Sequence, residues 1–340
     1  MKAEIYHADC LEWMRTQPDN SVDLVFGSPP YEAARTYGID FSLKGQDWVD
    51  WMAVRIVEAV RISRGLVAMV VEGQTRQFRY SAAPLLLMAD LHRRGIHLRK
   101  PPIFHRVGIP GSGGPDWLRN DYEFIVCCTS GGKLPWSENT AMGHPPKWGP
   151  GGEMSHRVSD GTRRNQWGAV GSKNGMGAKD KHGKPRSTHR PSHVVATKGV
   201  MEEIIAVKGA EPKVAAALEN GLPAGAKLHT KNDGEEMRVQ CYIPPVKANP
   251  GNVIKCIVGG GVMGSKLAHE NEAPFPESLA EFFVRSFCPS EGLVYDPFSG
   301  SGTTAAVCLK NNRRFVGTDV RESQVDLTKR RVSEVQVPLF

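Results

Sequence analysis

The nine residues Asp296-Pro297-Phe298-Ser299-Gly300-Ser301-Gly302-Thr303-Thr304 constrain this chain more than any other stretch. Leu293 to Tyr295 ahead of them reads as a short buried strand. Thr303 to Leu309 behind them reads as a helix with Ala305, Ala306 and Leu309 on one face. Glycines at a strand-to-helix turn let the backbone bend sharply and come close to a ligand. Arg314 to Thr318 then reads as a second strand, ending in Asp319. That acid lies about 20 residues past the glycines, the spacing at which a carboxylate can hold ribose hydroxyls. A lone Gly-x-Gly is an ordinary tight turn, whereas strand, loop, helix, strand and acid together read as a ligand-binding unit. The loop has no Gly-Lys-Ser/Thr for cradling phosphates and is not Gly-x-Gly-x-x-Gly, so an adenosine-bearing ligand without a pyrophosphate fits it better.

Strands and helices alternate from Lys2 to about Ser130 and again from about Pro274 onward. Ala3–Tyr6, Val22–Phe26, Leu66–Val71, Ile96–Val107 and Tyr122–Thr129 read as strands. Leu11–Thr16 can form a helical turn, and Trp48–Ile62 and Pro84–His92, the second and third helical segments, read as helices closed by Gly65 and Gly95. The second has Trp48, Met52, Ile56 and Val60 at helical spacing. This alternation predicts an α/β fold with a mostly parallel, Rossmann-like sheet covered by helices on both faces. The final βαβ segment of about 40 residues is too small to bury a core alone, so both stretches should share one sheet.

Between them, residues 131–250 differ in kind and read as an inserted module. Ala141 to Val200 holds eleven Lys and Arg against three Asp and Glu, while the whole chain of 340 residues carries a net charge of +7. The basic excess therefore sits in the insert, and it invites a polyanionic partner. Glu211–Leu218 reads as a short helix and Lys227–Ile243 as a hairpin around Asn232-Asp233-Gly234. Trp136, Trp148 and Trp167 argue against full disorder. The seven cysteines show no Cys-x-x-Cys spacing, so neither a zinc site nor a disulfide framework is expected. Nothing at Met1-Lys2-Ala3-Glu4 begins an apolar signal region, and no apolar run approaches the roughly 20 residues of a membrane span.

Ser28-Pro29-Pro30-Tyr31 follows the strand at Val22–Phe26, which carries Asp23 inside it. The prolines remove two backbone donors and leave carbonyls free to accept, and the ring after them can stack on a base. With Asp296–Thr304, this segment resembles the S-adenosylmethionine-dependent DNA amino-methyltransferases. The order, Ser-Pro-Pro-Tyr early and the glycine loop late, resembles their permuted β-order group. His269 to Glu277 is similar to that family's motif X, with Pro276 at a helix start. The likeness covers residues 1 to about 130 and about 250 to 332, a catalytic domain of 1–130 and 251–340 around a 131–250 target-recognition module.

The resemblance implies roles by position. Asp319 holds the ribose and Asp9 the adenine side of S-adenosylmethionine, although Asp9 can equally cap the helix after it. Phe298, Ser299, Gly300, Gly302 and Thr303 line the cofactor, with Phe275 and Pro276, and Phe275 can equally be core. Asp296 orients the methionine end. Ser28 and the Pro29 carbonyl, with Pro30 and Tyr31, form the catalytic loop: acceptors draw the amino hydrogens of a flipped base while Tyr31 stacks on it. Double-stranded DNA is the implied substrate, with phosphate contacts expected from Arg163, Arg164, Lys179, Lys181, Lys184 and Arg186. No metal and no thiol is required; cytosine C5 chemistry uses a Pro-Cys pair, and no cysteine here follows a proline. A serine at position 28 favours cytosine N4 over adenine N6, by resemblance alone. A catalytically inactive DNA-binding protein and an RNA or protein methylase are the rival readings. The implied setting is the cytoplasm of a prokaryote or phage-infected host, where such an enzyme works alone or beside a separate cognate restriction endonuclease.

Overall fold

The computed structural model of the chain describes residues 2–32, 41–108, 115–145, 227–230, 237–240, 247–258, 264–270 and 274–335. The chain forms two compact units, residues 1–143 with 249–340, and residues 144–248.

The first unit begins β1 (Ala3–His7), α1 (Cys10–Arg15), β2 (Val22–Gly27), α2 (Gly45–Ile62) and β3 (Ser63–Val71). It continues through a small hairpin, β4 (Thr75–Arg76) and β5 (Arg79–Tyr80), then α3 (Ala83–Arg93), β6 (His97–Leu98), β7 (Ile103–Val107) and β8 (Tyr122–Thr129). In the second unit, β9 (Lys227–Thr230) and β10 (Met237–Gln240) pair antiparallel, as the hairpin reading requires. The turn between them and the predicted helix at 211–218 lie outside the described residues. The first unit resumes with β11 (Val253–Ile257), α4 (Glu277–Phe287), β12 (Leu293–Asp296), α5 (Thr303–Lys310), β13 (Arg314–Asp319) and α6 (Glu322–Ser333).

The sheet runs β1-β13-β12-β2-β3-β8-β7-β11, with β6 on part of β8. Only the pairings of β8 are antiparallel. The late strands β12 and β13 thus lie between β1 and β2, so early and late stretches share one sheet, as their sizes demanded. Both faces are covered, and β3 shows it: Val67, Met69 and Val71 face one core with α2 and α3, while Leu66, Ala68 and Val70 face the other with α4 and α5. No described helix is long and apolar enough to cross a membrane.

Two sequence expectations need correction. Gly65 does not close α2, because the backbone is already extended at Ser63 and Gly65 lies inside β3. A Cβ at position 65 would come within 2.0 Å of the Asp23 carbonyl oxygen, so the glycine permits close approach of β2 rather than a helix stop. The expected strand 96–107 is two strands, since Pro101 and Pro102 have no N–H for the ladder. The sequence reading also missed the β4–β5 hairpin and β11.

Candidate active site

Because β1, β13, β12, β2 and β3 are parallel, their carboxyl ends lie along one edge of the sheet. Asp319 is paired with His7, Asp296 with Gly317, and Gly27 with Met69. The glycine loop and Ser28–Tyr31, some 270 residues apart in sequence, therefore emerge from adjacent strands at the edge where open α/β sheets hold ligands. They touch: a Cβ on Gly27 would sit 2.4 Å from Asp296 Oδ1.

The glycine loop is held from below. Asp296 is buried; its carboxylate accepts from Phe298 N (3.0 Å) and Thr304 Oγ1 (2.6 Å). Burial pushes its pKa up to about 7. With both bonds internal, Asp296 acts on any ligand through the loop it shapes. Asp319 is also nearly buried; one oxygen accepts from Gly300 N (3.0 Å) and the other from Arg321 N (2.9 Å). Gly300 and Gly302 have φ of +49° and +74°, the left-handed region where side chains are strained. Thr328 Oγ1 donates to the Gly300 carbonyl (2.8 Å), and buried Arg331 donates to Thr303 Oγ1 (2.9 Å) and to Glu277 (2.8 Å). Thr303 therefore faces the scaffold. Ser299 is buried, and its Oγ has no partner among the described residues, so one hydroxyl at the carboxyl edge is left for a ligand.

Asp9 is the helix cap that the alternative reading proposed: Oδ1 accepts from Leu11 N (2.8 Å) and Glu12 N (3.2 Å). Its other oxygen takes Arg55 Nη2 (2.9 Å). Burial alone would raise the Asp9 pKa, but Arg55 and the helix amides hold it below the ordinary range. Arg55 lies 4.0 Å over the Trp51 ring, and Trp51 is 5.9 Å from the half-buried ring of Phe298. Phe275 is half-buried and packs edge-on to Phe26 at 5.5 Å, against the core, and Pro276 is buried at the N-cap of α4.

In the Ser28–Tyr31 loop, the single Ser28 hydroxyl proton has two long options, Tyr31 Oη and the Val70 carbonyl, both at 3.3 Å. Such weak bonds leave the oxygen free to reorient and accept. Tyr31 Oη donates to Glu123 Oε2 (2.7 Å), and Glu123 pairs with Arg106 (3.0 Å). The Pro30 carbonyl is taken by the indole of buried Trp48 (2.9 Å). Buried Glu32 accepts from Gly45 N (2.8 Å) and so caps α2. Strand alternation lines up the next groups: Ser28 continues the row of Phe26, Glu72 that of Val70, Glu123 that of Ile125 and Arg106 that of Phe104. Glu72 is buried, and its Oε2 has no partner among the described residues; burial raises its pKa. Sequence reading missed Glu32, Glu72, Arg106 and Glu123. The alternation in β8 could have placed Glu123 on an inner face, but no local signal pairs it with Tyr31. Trp148, Trp167 and the six basic residues expected on DNA lie outside the described residues.

Comparison with known proteins gives the family and the fold. The orphan methyltransferase M.BamHII of Bacillus amyloliquefaciens is 40% identical over 67 residues, 20% of this chain and 25% of that one. M.ScaI of Streptomyces caespitosus, a type II methyltransferase, is 32% identical over 111 residues, covering 32% and 36%. This chain thus spans only about a quarter and a third of those two relatives. M.SfiI of Streptomyces fimbriatus, another type II methyltransferase, is 23% identical over 94% of this chain and 88% of its own length. Among solved structures, the PvuII DNA methyltransferase, described as cytosine-N4-specific, superposes with a TM-score of 0.58 at 14% identity, covering 97% of this chain and 86% of that one. TTHA0409 of Thermus thermophilus, solved with S-adenosyl-L-methionine, gives 0.50 at 18% identity, covering 99% and 96%. At those identities the likeness is one of fold. The model of the N6/N4 DNA methylase family matches residues 22–330, most of the chain, and the protein belongs to that family.

Proposed function

We propose that this protein methylates double-stranded DNA at the exocyclic amino nitrogen of a flipped base, with S-adenosylmethionine as donor, and that the base is cytosine. The observation that carries the reading is the contact of Gly27 with Asp296, which sets the catalytic loop against the glycine loop at one sheet edge. The residues fit the cofactor: Asp319 would take the ribose, Phe298 and Trp51 supply aromatic surface, and the orphan Ser299 Oγ offers a hydrogen bond. When bound, the cofactor supplies an electrophilic sulfonium methyl.

The chain's own residues then have three tasks. Ser28 Oγ and the Pro29 carbonyl accept the amino hydrogens, which localises a nitrogen lone pair otherwise delocalised into the ring. The Tyr31 ring stacks on the base while its hydroxyl stays anchored on Glu123. The loop, tied to α2 through Trp48 and Glu32, holds base and methyl in line. A thiol route is disfavoured, because the six described cysteines are buried, and burial pushes Cys10, Cys128 and Cys288 up to about 12. We also assign sequence recognition to the second unit, with Arg163, Arg164, Lys179, Lys181, Lys184 and Arg186 on phosphates.

The cytosine assignment is supported by the resemblance of Ser28-Pro29-Pro30-Tyr31 to the tetrapeptide of cytosine-N4 enzymes and by the specificity stated for the PvuII enzyme. Adenine N6 is the second reading, because adenine N1 stands beside its amino group as N3 does in cytosine. Mass spectrometry of nucleosides from DNA treated with the purified protein decides between them: N4-methylcytosine is expected, and N6-methyladenine alone overturns the base. Sequencing of modified DNA from an expressing host then reads the recognition site.

A further inference from the structure

Between β3 and α3 the chain makes a two-residue hairpin in which Thr75 pairs with Tyr80 and Arg76 with Arg79. Both turn residues, Gln77 and Phe78, have positive φ, 50° and 61°. This is the type I′ arrangement, which asparagine and glycine adopt easily and a bulky ring does not. Burial does not offset the strain, since Phe78 is 79% exposed. Strained backbone that presents an unburied ring is a feature of sites that act on something else.

The base of the hairpin is clamped to the catalytic loop. Tyr80 Oη donates to Glu72 Oε1 (2.9 Å), and Ser81 N donates to the Gln74 carbonyl (2.8 Å). Gln74 N donates to Ser81 Oγ (3.0 Å) and reaches Glu32 Oε1 (3.4 Å). Gly73 makes room, because a Cβ there would meet the Tyr80 ring at 2.7 Å. Glu32 directly follows Tyr31, and Glu72 lies two residues past the carbonyl that Ser28 meets. The hairpin thus rises beside the place where the target base must lodge, and its turn, Gln77 and Phe78, is flanked in the chain by the exposed pair Arg76 and Arg79.

A base drawn out of a duplex leaves a gap in the stack, and apolar side chains inserted at base steps are a recurrent way of filling such a gap. A ring flanked by cations matches both parts of that partner, bases and phosphates. We propose that Phe78 is a wedge: the hairpin tip enters the duplex, the ring stacks where the target base was, and Arg76 and Arg79 take adjoining phosphates. The proposal rests on the DNA-methylation reading above.

The test uses a duplex bearing the recognition sequence read from host DNA, with the target base either normally paired or opposite an abasic site that removes its partner. Single-turnover methylation is compared for the wild type, Phe78→Ala, Phe78→Gly and Phe78→Trp. Phe78→Ala and Phe78→Gly are expected to slow methylation of the paired duplex by roughly 5- to 150-fold, the worth of one base–aromatic stack, and to recover most of that loss on the abasic duplex. Phe78→Trp retains the wild-type rate on both. Glycine suits the positive φ, so its loss cannot come from a misfolded turn, and S-adenosylmethionine affinity stays unchanged throughout. Equal slowing on both duplexes, or no slowing on the paired one, overturns the wedge. A wild-type protein inactive on both duplexes would instead fail the methylation reading itself.

Discussion

Gly27→Ala probes the junction of the two loops. The new Cβ would lie 2.4 Å from Asp296 Oδ1, 3.2 Å from its Cγ and 3.4 Å from Pro297 Cδ. Relief by the carboxylate is blocked, because it bonds Phe298 N at 3.0 Å and Thr304 Oγ1 at 2.6 Å. Relief by the backbone would break the β2–β12 register at Leu24–Val294 and Val25–Tyr295. Overpacking costs about 1–3 kcal/mol, and losing one hydrogen bond to a charged group adds about 1.5–3 kcal/mol. We therefore expect a loss of about 3–5 kcal/mol in urea unfolding, with weaker S-adenosylmethionine binding because the glycine loop is displaced. Asp296→Ala removes the obstructing oxygen, so the double variant should lose less than the sum of the singles by at least about 1 kcal/mol. Additivity within about 0.5 kcal/mol, or a single variant as stable as wild type, would show that the two loops do not bear on each other.

Asp296 should also set a pH dependence. Its folded pKa of about 7 lies above the ordinary carboxylate value of 3.8, so the stability it contributes is full below the lower value and is lost as pH rises through the upper. The span corresponds to up to about 4 kcal/mol, and Asp296→Asn, which keeps the shape and the Phe298 N bond while its amide donates to Thr304 Oγ1 instead of accepting, should flatten the urea midpoint between pH 4 and pH 8. Asp319→Ala should weaken S-adenosylmethionine binding by roughly tenfold or more, since it removes the proposed ribose acceptor and the anchor of Gly300 N together. Gly300→Val should do the same by forcing a β-branched residue to φ +49°; unchanged calorimetric affinity in both variants sinks the cofactor assignment. Ser28→Ala should cut turnover and leave cofactor affinity intact, and a matching drop in affinity would mean the loop had moved instead. Replacing Arg163, Arg164, Lys179, Lys181, Lys184 and Arg186 together should flatten the salt dependence of DNA binding; an unaltered slope would place the DNA elsewhere.

Much of the fold was legible because its signals are local. The apolar spacing of Trp48, Met52, Ile56 and Val60 encodes α2, and Tyr122–Thr129 was read with its observed bounds. Errors arose where one residue type serves two purposes. Gly65 reads as a helix stop, yet it gives β2 room to approach. Glu72 and Arg106 left no trace, and alternation marks at most an inner face for Glu123; only the folded sheet brings Glu123 to Tyr31 and Arg106 to Glu123.

By itself the sequence determined the α/β class, the two loops and the acid after the glycines, each of which depends on neighbouring residues, and the permuted order, which is read directly along the chain. The tertiary structure decided which groups meet. Asp296 lies against Gly27, Tyr31 hydrogen-bonds Glu123, Glu32 caps α2, and a strained hairpin carrying Phe78 is tied at its base to Glu32, the residue after Tyr31. The physical reason is that alternation along a strand names its inward residues but not its neighbouring strand. Strand order, set by burying both faces of the whole sheet at once, assigns the partners.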